Sequence, residues 1–330
     1  MNKFLLLLFC LTVTAHAEPI NIVMPVSPGG NIDVFARAFS NALTDNSIEN
    51  VITYQAGGQG DIAYNTVMNK PDTSILVGAL HTFVLSHVSQ DRENIHSKNM
   101  KIFAPMVETP FTFLTTPNGF YSFKEMIEYA KKNVLPCGVS NANSMELIRI
   151  NKEYKTKFEP IPYKGTAQIK TDLLGNHIKC AYDGAGAYMH DNIKYLASNI
   201  NIKDIPKISS VLTNYNFNMW LGVGIPNDSR LLKNEKLLNV IESLNQNKEY
   251  IQKLNELNIT NYILGDFDFF LRQFSEFTTK VGWSTNERNR LNTLKSNLGS
   301  TNGLKKISQL TTNHRCPRSR ETRGEPPAGR

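Results

Sequence analysis

The sequence predicts an α/β protein of two lobes, each a doubly wound, mainly parallel sheet, with a cleft between them. Three observations predict it. Short apolar strands alternate with helical patterns from residue 20 to about residue 109, and each strand ends in a turn rich in Gly, Ser or Asn. The same rhythm restarts at residue 135 and runs to about residue 197. Two further apolar strands, 110–117 and 219–226, break the rhythm and read as crossings between the lobes.

In chain order, strand 20–24 leads to a helix over 32–44, where Ile32, Phe35, Phe39 and Leu43 recur at helical spacing. Strand 50–54 precedes Gly57-Gly58-Gln59-Gly60 and a helix at about 60–69. Strand 74–79 ends at His81-Thr82, which opens another helix, and a strand follows at about 101–107. In the second lobe, a helix at 122–132 leads to strand 135–140 and a helix at 144–154. Strand 158–163 is followed by a helix at 166–174, and strand 177–183 by a helix at 186–197. Helices at about 230–245, 247–257, 266–280 and 285–296 complete the reading. The expected division is residues 18–109 with 224–297 in one lobe and 110–223 in the other.

The termini differ from this pattern. Lys3, the apolar run Phe4–Leu11 and Ala15-His16-Ala17 make a cleavable signal peptide over 1–17, which places the mature chain in the periplasm. Phe9 before Cys10 argues against a lipid anchor. Residues 298–330 are dominated by Pro, Gly and Arg without apolar periodicity, and read as a disordered basic tail.

Most of the formal charge of +7 sits at these ends. Lys3 contributes one charge and residues 301–330 hold seven basic residues against two acidic ones, so the globular part is near neutral. A nucleic-acid partner is therefore not expected. Of four cysteines, only Cys137 and Cys180 lie in the globular part. Export permits a disulfide, but neighbouring parallel strands rarely present its geometry, so two buried thiols are the favoured reading. No C-x-x-C or H-x-x-x-H pattern occurs, and neither metal nor cofactor is expected. His81 and His87 read as ordinary core or surface residues.

The run Pro25-Val26-Ser27-Pro28-Gly29-Gly30-Asn31-Ile32-Asp33 joins a strand to a helix. In that layout backbone N–H groups point at an anion, and the run reads as a cradle for a carboxylate or phosphate. Asp33 pairs with Arg37 one turn on, or touches ligand. Gly57, Gly58, Gln59, Gly60 and Thr82 occupy the corresponding ends of the next two strands. Across the cleft stand Ser140, Asn141, Ser144, Tyr163, Lys164 and Asp183. Ser140, Asn141 and Ser144 either contact ligand or cap the next helix. Asp183 either binds an amino group or orders its turn. No histidine stands at a motif position to activate Ser27 or Ser140, no G-x-S-x-G elbow occurs, and a secreted hydrolase is the remote alternative.

With these turns placed, the chain resembles the Bug family of solute receptors, the TctC type of tripartite tricarboxylate transporters. The resemblance rests on the Pro25–Arg37 loop, on Gly57-Gly58-Gln59-Gly60, on Gly138–Ser144, on Ile161-Pro162-Tyr163-Lys164-Gly165, and on Asp172–Ile178 leading to Asp183. Their order and spacing match over about residues 18–296. The chain departs from the family at Tyr54-Gln55-Ala56, at Ala142, and at Asn143, where a small residue is usual. The resemblance implies a periplasmic-binding-protein-like fold and a receptor closing on a small carboxylate: a dicarboxylate, tricarboxylate, acidic amino acid or aromatic acid. It also implies main-chain recognition, a monomer, and membrane transporter subunits as partners. A sensor module presenting ligand to a membrane receptor kinase shares the fold and the ligand, and stays open beside transport.

Overall fold

The computed structural model describes residues 18–255 and 260–261, apart from 80, 86–95, 97, 98, 141, 142, 185–187, 189–191, 216 and 218. The expected signal peptide, the helices at 266–280 and 285–296 and the tail lie outside the described residues.

Five strands of the first sheet are β1 (Ile20–Met24), β2 (Asn50–Tyr54), β3 (Ser74–Ala79), β4 (Met100–Thr109) and β10 (Met219–Pro226); β11 (Thr260–Asn261) makes the sixth. Their order is β11-β4-β10-β3-β1-β2. The second sheet holds β5 (Phe111–Thr115), β6 (Leu135–Ser140), β7 (Phe158–Tyr163), β8 (Ala181–Gly184) and β9 (Lys194–Ser198), in the order β7-β6-β8-β5-β9.

Crossover helices α1 (Asn31–Asp45) and α2 (Asp61–Met68) make β1 parallel to β2 and β3. Helices α3 (Phe123–Lys132), α4 (Ser144–Tyr154) and α5 (Thr166–Leu174) serve the second sheet, where β6 is parallel to β7 and β8. The strands that carry the chain between sheets run antiparallel to their neighbours. β10 pairs so with β3 and β4, and β5 with β8 and β9. Each sheet is thus mixed, with a parallel half from its βαβ units and an antiparallel half from the crossings. Pro110 alone separates β4 from β5, which lie in different sheets. A residue without an N–H is well placed where the ladder changes partner.

The first core gathers Ile22, Val23 and Met24 of β1, Ile75, Leu76 and Val77 of β3, and Phe35 and Phe39 of α1, all fully buried. Each such side chain contributes roughly 1.5–3 kcal/mol by leaving water. The chain returns to this lobe after β10. A 3₁₀ turn at Arg230–Lys233 leads to α6 (Glu235–Ser243), capped by the Asn234 side chain accepting from the Leu237 N–H at 3.1 Å, and then to α7 (Lys248–Asn255). Tyr250 of α7 packs edge-on against Phe35, with centroids 6.4 Å apart.

The second core is aromatic. Phe113 contacts Phe123, Phe158 and Tyr182 at centroid distances of 4.9–5.4 Å. Beside it a buried Arg149 forks onto Glu146, with Nη2–Oε1 2.6 Å and Nε–Oε2 2.8 Å, while Nη1 reaches Glu153. Burial pushes the Glu146 carboxyl up, and Arg149 opposes it. The Arg149 guanidinium also lies over the Tyr215 ring.

Three expectations are corrected here. Of the helix placed at 186–197, residues 186, 187 and 189–191 lie outside the described residues, and Lys194–Ser198 instead form β9, which pairs with β5 along its edge. Tertiary pairing overrides the local helical pattern. The strand placed at 177–183 begins only at Ala181, because residues 175–178 form a turn in which His177 and Ile178 donate to the Asp172 carbonyl and Asn176 is left-handed. Finally, Cys137 and Cys180 form a disulfide rather than two thiols, with Cα atoms 4.5 Å apart. Cys180 directly precedes β8, and its carbonyl still accepts from the Gly138 N–H of β6 at 2.8 Å, so the two cysteines stand side by side on neighbouring parallel strands and are bridged there. Both residues are buried, and the Cys180 sulfur lies 3.9 Å from that of Met126 on α3.

The disulfide closes a separation of 43 residues. In the chain-entropy treatment a loop of that size contributes about 4 kcal/mol. Replacing both cysteines by alanine should lower the unfolding free energy in urea by roughly that amount. A loss under about 1 kcal/mol would show that the bridge does not constrain the chain.

Candidate functional site

The turn after β1 is organised from within. Asp33 accepts from the Gly29 N–H at 2.9 Å, from Arg37 Nε at 3.1 and 3.2 Å, and from the Tyr54 hydroxyl at 2.6 Å. Gly29 is left-handed (φ 95°), and the chain passes through Gly30 into α1. Asp33 therefore holds the loop and faces away from the cleft. The first N–H groups of α1 have no acceptor within the helix.

The second turn is Gly57-Gly58-Gln59-Gly60. Gly58, Gln59 and Gly60 all take positive φ, which glycine accepts readily and which accounts for a tight coil leading into α2. This turn is tied to the third. The buried His96 donates from Nδ1 to the Thr82 carbonyl at 2.7 Å, while its Nε2 lies 3.2 Å from Asp61 at the start of α2. Its ring stacks on Tyr64 at 4.1 Å.

Asp183, at the end of β8, is 3% exposed. Oδ1 accepts from Ser140 Oγ at 2.8 Å and Asn143 Nδ2 at 3.3 Å; Oδ2 accepts from Thr166 Oγ1 and the Tyr188 hydroxyl, both at 2.8 Å. The Gly184 N–H adds to these. Every donor is neutral. Burial pushes the Asp183 carboxyl above its usual range, and these hydrogen bonds oppose the shift without cancelling it.

The two sets of loops meet around a cavity of about 60 Å³. Ser27, Gly30, Asn31, Gln59, His81 and Thr82 line it from the first sheet's side, and Ser140, Asn143, Lys164, Gly165, Thr166, Asp183 and Gly184 from the second. Ile32, Ala79, Phe111, Met219 and Leu221 supply its apolar wall. Three glycines set how closely the loops approach. A side chain at Gly30 would meet Thr166 Oγ1 at 3.0 Å, one at Gly165 would meet Ser27 Cβ at 3.0 Å, and one at Gly184 would occupy the space of the Asn31 amide. Gly30 has an ordinary extended backbone (φ −96°, ψ 177°), so its constraint is room rather than conformation.

Of the residues singled out from sequence, Ser27, Gly30, Asn31, Gln59, Thr82, Ser140, Lys164 and Asp183 are brought together at this cavity. Pro28, Gly29, Asp33, Gly57, Gly58, Gly60, Ser144 and Tyr163 do not line it. Gly29 and Asp33 shape the first turn, and Gly57, Gly58 and Gly60 the second. Gly60 backs onto Thr82, where an added Cβ would lie 3.1 Å from Thr82 Cγ2. Tyr163 turns away to donate to Asp172 at 2.6 Å. Asn141 lies outside the described residues. Sequence reasoning missed Gly165, Thr166 and Gly184, although each sits in or beside a turn it had marked. It also missed His81, whose Nδ1 is buried without a partner and whose burial lowers its pKa to about 4, so the ring is neutral at pH 7. The Asn31 amide is likewise buried with both polar atoms unpartnered.

No protein-family model matches the chain. A UPF0065 protein of Bordetella bronchiseptica is 26% identical over 181 residues, which is 52% of this chain and 54% of that protein, so the match spans about half the length of that relative. Among solved structures, R. palustris Rpa4515 with adipate superposes with a TM-score of 0.71 at 19% identity, covering 80% of this chain and 97% of that one. MatC from Rhodopseudomonas palustris with bound malate gives 0.65 at 16% identity, over 83% and 98%. At such identities these two likenesses establish the fold.

Two outcomes follow from the geometry. Gly30→Val should abolish solute binding with little change in melting temperature, because the new side chain collides with Thr166 only where the loops meet. Unchanged affinity by calorimetry would remove the first turn from the site. For Asp183 the sign is set by the raised folded-state pKa. Compared with the unfolded chain the fold holds the Asp183 proton more tightly, so this contribution to stability is complete below the unfolded value of about 4 and is lost as pH rises through the higher folded value. Asp183→Asn should therefore gain on the native protein as pH climbs from about 4. A stability difference that is constant with pH would show that Asp183 titrates normally.

Proposed function

We infer, from the premise that this chain is a homologue of the UPF0065 (Bug family) proteins, that it captures a small carboxylate-bearing solute and delivers it to a membrane transporter of the tripartite tricarboxylate type. The observation that carries the reading is the cavity between the loop sets. It is small, narrowed by close glycine contacts, and lined by the start of α1, with no buried cation among the described residues of its wall. Lys164, the one lysine among the described residues of its wall, is exposed. An anion there is recognised by main-chain N–H groups and neutral side chains. The adipate and malate held by the two structural relatives agree in chemical class.

This reading takes residues 18–109 with 224–297 as one lobe and 110–223 as the other, closing on the solute. The chain works as a monomer in the periplasm after its leader is removed, and performs no chemistry on what it binds. The Ser140 hydroxyl supports that last point, since it donates to Asp183 and no histidine among the described residues hydrogen-bonds to it.

Recognition by fixed dipoles acts at short range, whereas exposed formal charges are screened beyond about 8 Å at physiological ionic strength. Affinity for the carboxylate should change little between low and moderate salt, and little in Lys164→Ala. Replacing the carboxylate by an amide should weaken binding markedly, because its NH₂ would face donors. A tenfold salt effect, or equal binding of acid and amide, would overturn main-chain recognition.

A further inference from the structure

Asn143, at the start of α4, is 2% exposed and forms part of the cavity wall. Its orientation is dictated by its neighbours. Ser140 already gives its proton to Asp183 Oδ1, so at 2.7 Å from Asn143 it can only accept. Asp183 Oδ1, 3.3 Å away, is also an acceptor. Both contacts require the NH₂ end of the Asn143 amide. Its Oδ1 is left buried with no hydrogen-bond partner. That oxygen cannot exchange places with the nitrogen without setting lone pair against lone pair. Asn31, across the cavity, differs: both of its amide atoms are unpartnered, so either end can turn to a solute. The neutral His81 ring also has an uncommitted Nδ1. Asn143 Oδ1 is thus a fixed acceptor in the wall.

A carboxylate offers only lone pairs, and set against Asn143 Oδ1 it would be repelled. Asp183 gives a solute donor little to bind, because both of its oxygens already accept two hydrogen bonds from side chains. We propose that Asn143 selects a small carboxylate that also carries a hydrogen-bond donor, a hydroxy acid or an amino acid, over the plain acid of the same length. The proposal rests on the carboxylate reading above and narrows it. A donor-bearing solute satisfies an oxygen that a plain acid leaves buried and unpaired, and unpaired buried groups are what make polar sites selective.

The test is calorimetric titration of the mature protein with two matched sets: succinate, malate and aspartate, and propionate and lactate. The donor-bearing acid should bind about tenfold or more tightly than its plain counterpart. That ratio should fall towards one in Asn143→Ala, with Asn143→Ser as a second variant should alanine disturb the fold. Malate against aspartate then separates a hydroxyl from an ammonium. Equal affinity within each set for the native protein overturns the role of Asn143 and leaves carboxylate capture standing. A native preference that survives unchanged in both variants also overturns it. Failure of all five acids to bind overturns this proposal together with the reading beneath it.

Discussion

The carboxylate of Asp183 is the point on which the second lobe's working edge depends. A buried anion is costly unless hydrogen-bonded, and this one is held by hydroxyls and amides rather than by a cation. The donors come from three pieces of chain: Ser140 and Asn143 from the turn between β6 and α4, Thr166 from the start of α5, and Tyr188 from beyond β8. Satisfying one carboxylate draws three segments to a common centre. It also orients Ser140 and Asn143, so a group in the wall decides which atoms face the cavity. An Arg or Lys partner would neutralise Asp183 more strongly, but would bring a cation into a site whose described lining holds no buried one.

The first lobe reaches the same precision by other means. Asp33 plays the organising part there, yet it is partnered by Arg37 and Tyr54 on the outer side of the loop. Its work is finished before the cavity begins. The second turn relies on consecutive positive φ angles, and the third is locked to it through His96. Closure then depends on what is missing. Gly30, Gly165 and Gly184 leave room for Thr166, Ser27 and Asn31 respectively. Loops placed so closely leave only a small cavity, where dipoles and neutral donors act more strongly than they would in bulk solvent.

The sheets explain how two such edges come to face each other. β4 ends and β5 begins across Pro110, so the chain leaves one sheet and enters the other without a loop long enough to drift. β10 returns as the central antiparallel strand of the first sheet, between β3 and β4. Phe111, Met219 and Leu221, which belong to these crossing strands, form the cavity's apolar wall. The crossing strands thus also supply part of the site.

The sequence by itself determined the order of the elements and the places where turns would gather. Its apolar periodicity and its glycines place the boundaries of β6, β7, α4, α5 and β10, because these elements follow local rules of pattern and capping. It also marked the turns that carry Ser27, Gly30, Asn31, Gln59, Thr82, Ser140 and Asp183, since strand ends in α/β sheets collect ligand-facing residues. Only the tertiary structure decided the rest. Residues 194–198 became a strand because β5 had an edge to pair, Cys137 and Cys180 met because β6 and β8 pair side by side, and Gly30 proved to need room rather than an unusual backbone. Asn143, Thr166 and His81 enter the site for the same reason. Their importance lies in which groups stand opposite them, and that depends on contacts between segments far apart in the chain.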